Sequence, residues 1–421
     1  MKKLLHHYFK NLGPGLTTGA ADDDPSGIAT YSQMGATGGL KFAWLAFFSL
    51  PLMVAVQEMC ARIGIATGVG LAANIRKHYS RKVLYFCTSL LLFANVFNIG
   101  ADLGAMAEGV RLLLPNLSFS FLVIAFALSS LSLQVFISYK QYAKYLKYLA
   151  ITLVAYIVSA FFVDINWGEV ANNIVFPDIS FTRDTIILIC AGLGTTISPY
   201  LFFWQTDQEI EEQILKGDTT EKSRRADATP SGIRKMRLDV FSGMFFSNLV
   251  MFFIIVTCAE TLFANGIHSI NTASDAALAL RPLAGDFAFL LFTLGIVGTG
   301  MLSIPVLAGS ASYAMSEAFG WKIGLYRKLK QARAFYGVIA LAMVLGMVLN
   351  FVGLDPIKTL IYSAVLNGII SPLMIFFIVQ ISASEKIMGE FKNGAISNIL
   401  GTISLIIMFC VSVATLVFLL L

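Results

Sequence analysis

The chain has 421 residues, of which 57% are hydrophobic and only 13% charged, with a mean hydropathy of +0.75. Soluble domains carry about a quarter of their residues as charges, so this composition excludes an ordinary water-soluble globule and points to lipid as the solvent. The net charge of +5 does not indicate a nucleic-acid partner, because the basic residues are spread over the loops between apolar runs.

The N-terminus, MKKLLHHYFK, is followed by polar and glycine-rich sequence. It lacks the apolar core and small-residue cleavage site of a secretory leader, so the first span is expected to remain in the mature protein. Eleven membrane segments follow from the apolar runs, each near the length of about 20 residues that crosses a bilayer. They lie at about 13–36, 42–66, 83–113, 118–138, 145–163, 184–206, 238–262, 286–314, 334–352, 357–381 and 394–420. The expected cytoplasmic stretches are the N-terminus, 62–82, 139–147, 207–237, 316–333 and 382–393. Together they hold 25 of the 30 Lys and Arg residues. Lys41, Arg111, Arg183, Arg281 and Lys358 fall on the other side. This bias places the N-terminus in the cytoplasm and the C-terminus outside, which an odd number of spans satisfies.

The five cysteines (60, 87, 190, 258 and 410) each lie in an apolar run and form no C-x-x-C pair. They read as buried small hydrophobes. The one long charged stretch, DQEIEEQILKGDTTEKSRRADATPSGIRKMR, mixes both signs with Gly and Pro and reads as a flexible, solvated connector. It leaves five spans before segment 6, five from 6 to 10, and an eleventh.

Segments 1 and 6 hold corresponding places in those halves and share an interruption. DDDPSG at 22–27 and GTTISPY at 194–200 each set a proline beside small polar residues. Proline removes a backbone donor and disfavours helix at the residue before it. Backbone groups freed in the bilayer interior need a hydrated or ion-filled cavity, since lipid cannot satisfy them. A matched pair of broken helices is the sequence mark of a transporter's binding site. Pro51, Pro305 and Pro372 read as kinks.

Acids inside a membrane are costly and point to function. Carboxylate, hydroxyl and freed carbonyl oxygens form a hard donor set suited to a divalent cation. Successive helical residues turn by about 100°, so Asp22, Asp23 and Asp24 cannot all face one ion. Asp24, directly before the proline, is best placed. Of Asp22 and Asp23, one is expected to line the approach vestibule and the other to pair with a basic group or be protonated; the alternative is that segment 1 starts later and both are solvated. Asp102 in segment 3 is a candidate for carrying protons or pairing with a cation, whereas Glu108 and Arg111 read as a helix-surface ion pair. No HExxH, Walker A or nucleophile-elbow sequence is present, so neither an enzyme nor a bound cofactor is expected. An intramembrane aspartyl enzyme using Asp24 and Asp102 has no motif behind it.

GPGLTTGAADDDPSG, ARIGIATG at 61–68 and GTTISPY together resemble the NRAMP (natural resistance-associated macrophage protein) family of divalent metal transporters. The resemblance runs through most of the chain. It implies an all-α integral membrane protein of the cytoplasmic membrane with a LeuT-like fold. Segments 1–5 (about 13–163) and 6–10 (about 184–381) would be inverted repeats, with an extra helix at about 394–420, in one transport domain. It also implies a metal, as transported substrate, between segments 1 and 6.

Carried over by position, the family's Asp-Pro-Gly-Asn becomes Asp24-Pro25-Ser26-Gly27, which keeps the aspartate and replaces the asparagine with Gly27. The family's Met-Pro-His becomes Ser198-Pro199-Tyr200, with Thr195 at the place of the carbonyl ligand. The segment 3 Asp is matched by Asp102, with Ala105 where the family has Glu. Ala364 lies nearest the family's segment 10 glutamine, and Asn367 is one turn away. The implied metal set is Asp24, Gly27, Thr195 and Ser198; Asp102, Tyr200 and Asn367 are candidates for a vestibule or proton path, together with Asp22 and Asp23, which the family pattern does not explain. A thioether favours softer metals; its replacement by Ser198 leaves an all-oxygen site that admits Mg²⁺ with its waters, besides Mn²⁺ or Fe²⁺. Loss of the histidine and glutamate points to uncoupled uptake, against which Asp102 and the extra acids weigh. The alternative function is a cation-coupled amino acid or organic-solute symporter on the same architecture.

Overall fold

The computed structural model describes residues 13–137 and 154–420. Throughout these residues the regular structure is helical. Segment 1 is two helices, α1 (Pro14–Asp22) and α2 (Pro25–Gly38). Segment 2 is α3 (Trp44–Thr67), followed by a short α4 (Leu71–His78). Segments 3 and 4 are α5 (Arg81–Leu113) and α6 (Phe119–Phe136). The first part of segment 5 falls outside the described residues; its end is α7 (Val154–Ser159), and α8 (Trp167–Val175) follows.

Segment 6 is again two helices, α9 (Arg183–Thr196) and α10 (Pro199–Lys216). Then come α11 (Glu221–Asp227), α12 (Pro230–Thr261), α13 (Ala273–Leu278), α14 (Arg281–Ala284) and α15 (Ala288–Phe319). The chain ends with α16 (Arg333–Leu349), α17 (Pro356–Ala383), α18 (Glu385–Met388) and α19 (Ala395–Leu420).

Both expected breaks are present. Pro25 and Pro199 each stand at the first residue of a new helix, where a missing N–H costs nothing. Pro51, Pro305 and Pro372 lie inside continuous helices. Among the described residues, eight helical stretches are long and apolar enough to cross a membrane. The short halves α1 and α2 and the 17-residue α16 fall below that length.

The connector at 207–237 differs from the sequence expectation. α10 continues to Lys216, α11 is closed by a capping box between Thr220 and Ser223, and α12 starts at Pro230, capped by Thr229. Asp207, Gln208, Glu209, Glu211 and Gln213 are buried. Every residue of α10 from Pro199 to Glu211 is buried, so all sides of this part of the helix are packed, and the caps supply the turns. Four cysteines are buried as expected, but Cys410 is exposed on α19, an outer helix of which only 22% is buried in its apolar window.

Two packing details fix the first broken helix. The Asp239 carboxylate on α12 accepts the Gly13 and Gly15 amides, each at 2.7 Å. It thereby satisfies donors that the start of α1 would otherwise leave free. Gly19 of α1 faces Gly243 of α12 so closely that a Cβ on either would strike the other helix's backbone; small residues permit this approach. Elsewhere α15 packs along α5, and α9 along α17.

The motif ARIGIATG has a structural account. Arg62, 1% exposed, forks onto both Glu58 oxygens at 2.9 Å and reaches Phe391 O at 2.6 Å and Asn393 Oδ1 at 2.5 Å. Glu58 also accepts from Arg237 at 2.8 Å. Arg62 therefore ties α3 to the turn between α17 and α19, a planar bidentate role that lysine does not fill. Glu108 and Arg111 pair at 2.9 Å as expected. At the end of α4, partial burial together with Lys386, Lys77 and Arg225 holds the His78 imidazole below its ordinary range.

Candidate functional site

The first junction is built by Asp24. It caps α2, with Oδ1 accepting the Gly27 amide at 2.7 Å. Oδ2 accepts from the Asn98 side chain of α5, also at 2.7 Å. Both donors favour the ionised carboxylate. The preceding acids do not share these donors. Asp22 Oδ2 accepts from Ser247 on α12 at 2.6 Å, while Asp22 Oδ1 and both oxygens of Asp23 lack a hydrogen-bond partner. Asp22 and Asp23 are fully buried, so the reading of them as solvated residues ahead of the membrane does not hold. The three acids stand on different backbone: Asp22 ends α1, whereas Asp23 and Asp24 leave helical geometry, Asp24 being extended at φ −69°, ψ 173°.

The second junction is built by hydroxyls and carbonyls. Ser198 stands at the cap of α10 yet makes no side-chain bond to its amides. Its Oγ donates back to the carbonyls of Gly194 (2.6 Å) and Thr195 (2.7 Å) at the end of α9. The Thr195 carbonyl is thus hydrogen-bonded to Ser198, whereas Thr195 Oγ1 is buried without a partner. Ser371 of α17 reaches the Ile197 carbonyl at 2.5 Å and also bonds Asn367 O.

The two junctions meet at Gly27 and Tyr200. A Cβ on Gly27 would stand 3.0 Å from Thr195 Oγ1 and 3.2 Å from the Asp22 carbonyl, so only glycine leaves this corner open. Tyr200 Oη donates to Ala21 O at 2.9 Å, joining the start of α10 to the end of α1. Asp24, Gly27, Thr195, Asp22 and Tyr200 are therefore gathered in one place. Asp102 adjoins them through α5: it lies one turn beyond Asn98 and accepts from Ser303 of α15 at 2.9 Å, with its other oxygen unpartnered. Asn367 Oδ1 is likewise unpartnered on α17.

Asp22, Asp23, Asp24, Asp102, Thr195, Ser198, Tyr200 and Asn367 are each at most 1% exposed. Several orphaned oxygens at a charged, buried corner form a place that welcomes a cation. Among the described residues no three His, Cys, Asp or Glu side chains converge as a metal-holding group. The oxygens gathered around Gly27 are the Asp24 carboxylate, the Thr195 hydroxyl and the Asp22 carbonyl.

Four contributors were missed in the sequence reading. Asn98 was visible in principle as a polar residue one helical turn before Asp102, and Ser371 as one turn after Asn367. Ser247 and Ser303 gave no such signal, because each is one of several serines on its helix and lies 225 or 201 residues from its aspartate.

The family model described as natural resistance-associated macrophage protein-like matches residues 15–418. A divalent metal cation transporter, MntH, of Yersinia enterocolitica (serotype O:8 / biotype 1B, strain NCTC 13174 / 8081) is 25% identical over 402 residues. The match covers 94% of this chain and 92% of that one. The crystal structure of the Eremococcus coleocola manganese transporter, in complex with an aromatic bis-isothiourea compound, superposes with a TM-score of 0.75 at 17% identity. It covers 97% of this chain and 87% of the other. Mhp1, a nucleobase-cation-symport-1 family transporter, superposes at 0.58 with 14% identity over 97% of this chain and 91% of its own. These likenesses establish the LeuT-like fold. With its two broken helices and a family match over nearly its whole length, the chain belongs to the natural resistance-associated macrophage protein (Nramp) family.

Proposed function

We propose that the protein is a secondary transporter that moves a divalent metal cation across the cytoplasmic membrane by alternating access. The observation that carries this reading is Asp24. It is a buried carboxylate at the start of α2, held by two donors and set across Gly27 from the Thr195 hydroxyl of the second broken helix. The names of the Yersinia and Eremococcus relatives, a divalent metal cation transporter and a manganese transporter, agree with it. The metal is the substrate and not a resident cofactor, and the relatives are transporters, not enzymes.

Asp24 is the charged ligand, Thr195 and Ser198 supply neutral oxygens, and Gly27 leaves room for a retained water. Mg²⁺ gives up its waters reluctantly, and Ser198 in place of a thioether removes the preference for softer ions. The substrate range is therefore Mn²⁺ or Fe²⁺ broadened to Mg²⁺. Uptake is driven by membrane potential without obligatory proton movement, since Ala105 and Tyr200 cannot do the work of a glutamate and a histidine. The basic loops place the N-terminus in the cytoplasm and the C-terminus outside, and the two five-segment repeats form one transport domain. An amino acid or other carboxylate substrate is disfavoured by three buried aspartates at the break, because like charges repel.

The test is flux into proteoliposomes with pH and voltage set separately. Mn²⁺ uptake competed by Mg²⁺, with no acidification of the lumen, is expected. Failure of Mg²⁺ to enter or compete removes the broadened range. Metal-driven acidification lost in Asp102→Asn removes the uncoupled reading.

A further inference from the structure

A second pair of buried acids lies two turns beyond the first site. α10 carries Tyr200 at the Asp24 corner, and Asp207 follows seven residues later. That spacing returns to the same helical face about 10 Å further along the axis. α15 repeats the pattern, with Ser303 bonded to Asp102 and Ser310 and Glu317 at seven-residue steps beyond it. α10 and α15 pack against each other, and α5 lies along α15, where Asn95 donates to Ser310 Oγ at 2.8 Å and to Leu307 O at 2.9 Å. Asn98, one turn along from Asn95, holds Asp24. Polar side chains at these steps on α5 and α15 extend from the first site toward Glu317.

Glu317, at the last of these steps, is held in place by backbone amides. Its two oxygens accept the amides of Gly70 and Ala73, each at 2.9 Å, at the N-terminus of α4, where negative charge is favoured. Asp207 is 1% exposed, and neither of its oxygens has a hydrogen-bond partner. A Cβ on Gly70 would collide with carboxylate oxygens of both Glu317 and Asp207, so the two acids converge on one small space. Glu211, one turn further on α10, is by contrast fully engaged: it accepts from Tyr313 Oη at 2.6 Å and from the Leu325 and Tyr326 amides. Among the described residues neither Asp207 nor Glu317 forms a salt bridge. A buried carboxylate with no donor beside a second, anchored carboxylate calls for a positive charge between them.

We propose that Asp207 and Glu317, set against the N-terminus of α4, form a second station for a partly hydrated divalent cation on the cytoplasmic side of the Asp24 site. Two carboxylates plus waters is a donor set that Mg²⁺ and Mn²⁺ accept. The station rests on the transport reading above, and it would receive the ion as it leaves Asp24 and hold it before release.

Equilibrium binding of ⁵⁴Mn²⁺ to the full chain in nanodiscs tests it. The wild type is expected to bind two ions per chain, and Asp207→Asn, Glu317→Gln and Asp24→Ala one each. Asp24→Ala combined with Asp207→Asn is expected to bind none. Mg²⁺ should displace the ion that Asp24→Ala retains. One ion per wild-type chain, or two retained in both Asp207→Asn and Glu317→Gln, overturns the second station. One ion per wild-type chain, together with a proton that the wild type takes up as the pH falls and Asp207→Asn does not, assigns the pair to proton sharing and overturns it as well. The transport reading is judged separately: if Asp24→Ala leaves Mn²⁺ uptake intact, that reading fails whatever the stoichiometry at Asp207. Unchanged melting of metal-free Asp207→Asn and Glu317→Gln shows that lost binding reflects the site and not the fold.

Discussion

The junctions α1–α2 and α9–α10 use the same device, a proline at the first residue of the second half-helix, and differ in what they put beside it. At the first, the residue before the proline is Asp24, whose carboxylate caps α2 and is held by Asn98. At the second it is Ser198, which leaves the α10 amides uncapped and turns its hydroxyl back onto the carbonyls of α9. One break contributes charge and the other contributes neutral oxygens. On the transport reading proposed above, a divalent ion between them would meet a carboxylate from the first break and neutral oxygens from the second.

The largest effect that would break this asymmetry is at its charged side. Asp24→Asn is expected to lower Mn²⁺ affinity about 100-fold or more, the ~3 kcal/mol of a buried charge-assisted interaction, as read by calorimetry and by ⁵⁴Mn flux. Ser198→Ala should cost less than about tenfold in the same measurements, since it removes one neutral bond. Equal losses in the two variants would mean that the junctions are not divided in this way. Asn98→Leu removes the donor that orients Asp24 Oδ2, and about a tenfold loss of affinity is expected, with Asn98→Gln giving partial rescue.

Gly27→Ala sharpens the geometry, because its methyl would crowd Thr195 Oγ1 at 3.0 Å. Uptake of Mg²⁺ should fall several-fold more than that of Mn²⁺, as the more tightly hydrated ion needs the space; equal losses would place retained water elsewhere. Tyr200→Phe removes only the bond to Ala21 O. It is expected to reduce stability by about 1 kcal/mol in a denaturant melt, with metal affinity nearly unchanged.

Much of the architecture was legible before any coordinates. Apolar run length located the described segments to within a few residues, since bilayer thickness fixes helix length. The exception, the stretch at 207–237, is instructive. Asp207, Glu209 and Glu211 made it look solvated, yet they lie on helix α10 and are buried. Hydropathy averages over all sides of a helix and cannot register that acids at 207 and 211 share an inward face with partners from α15 and α4. The same blindness hid Ser247 and Ser303, because contacts between residues more than 200 positions apart leave no local pattern.

By itself, the sequence determined that this chain lives in lipid, that two of its helices break at prolines in matching places, and that Asp24 is the acid at the first break. Those properties depend on composition and on the backbone chemistry of proline, which are local. Only the tertiary structure decided where each aspartate points, that Ser198 is bonded to α9, that Arg62 locks α3 to the turn before α19, and that Asp207 meets Glu317 at the start of α4. These depend on which faces of distant helices pack together, and in a membrane that choice is made by close fit and hydrogen bonding, not by hydrophobicity that every face shares.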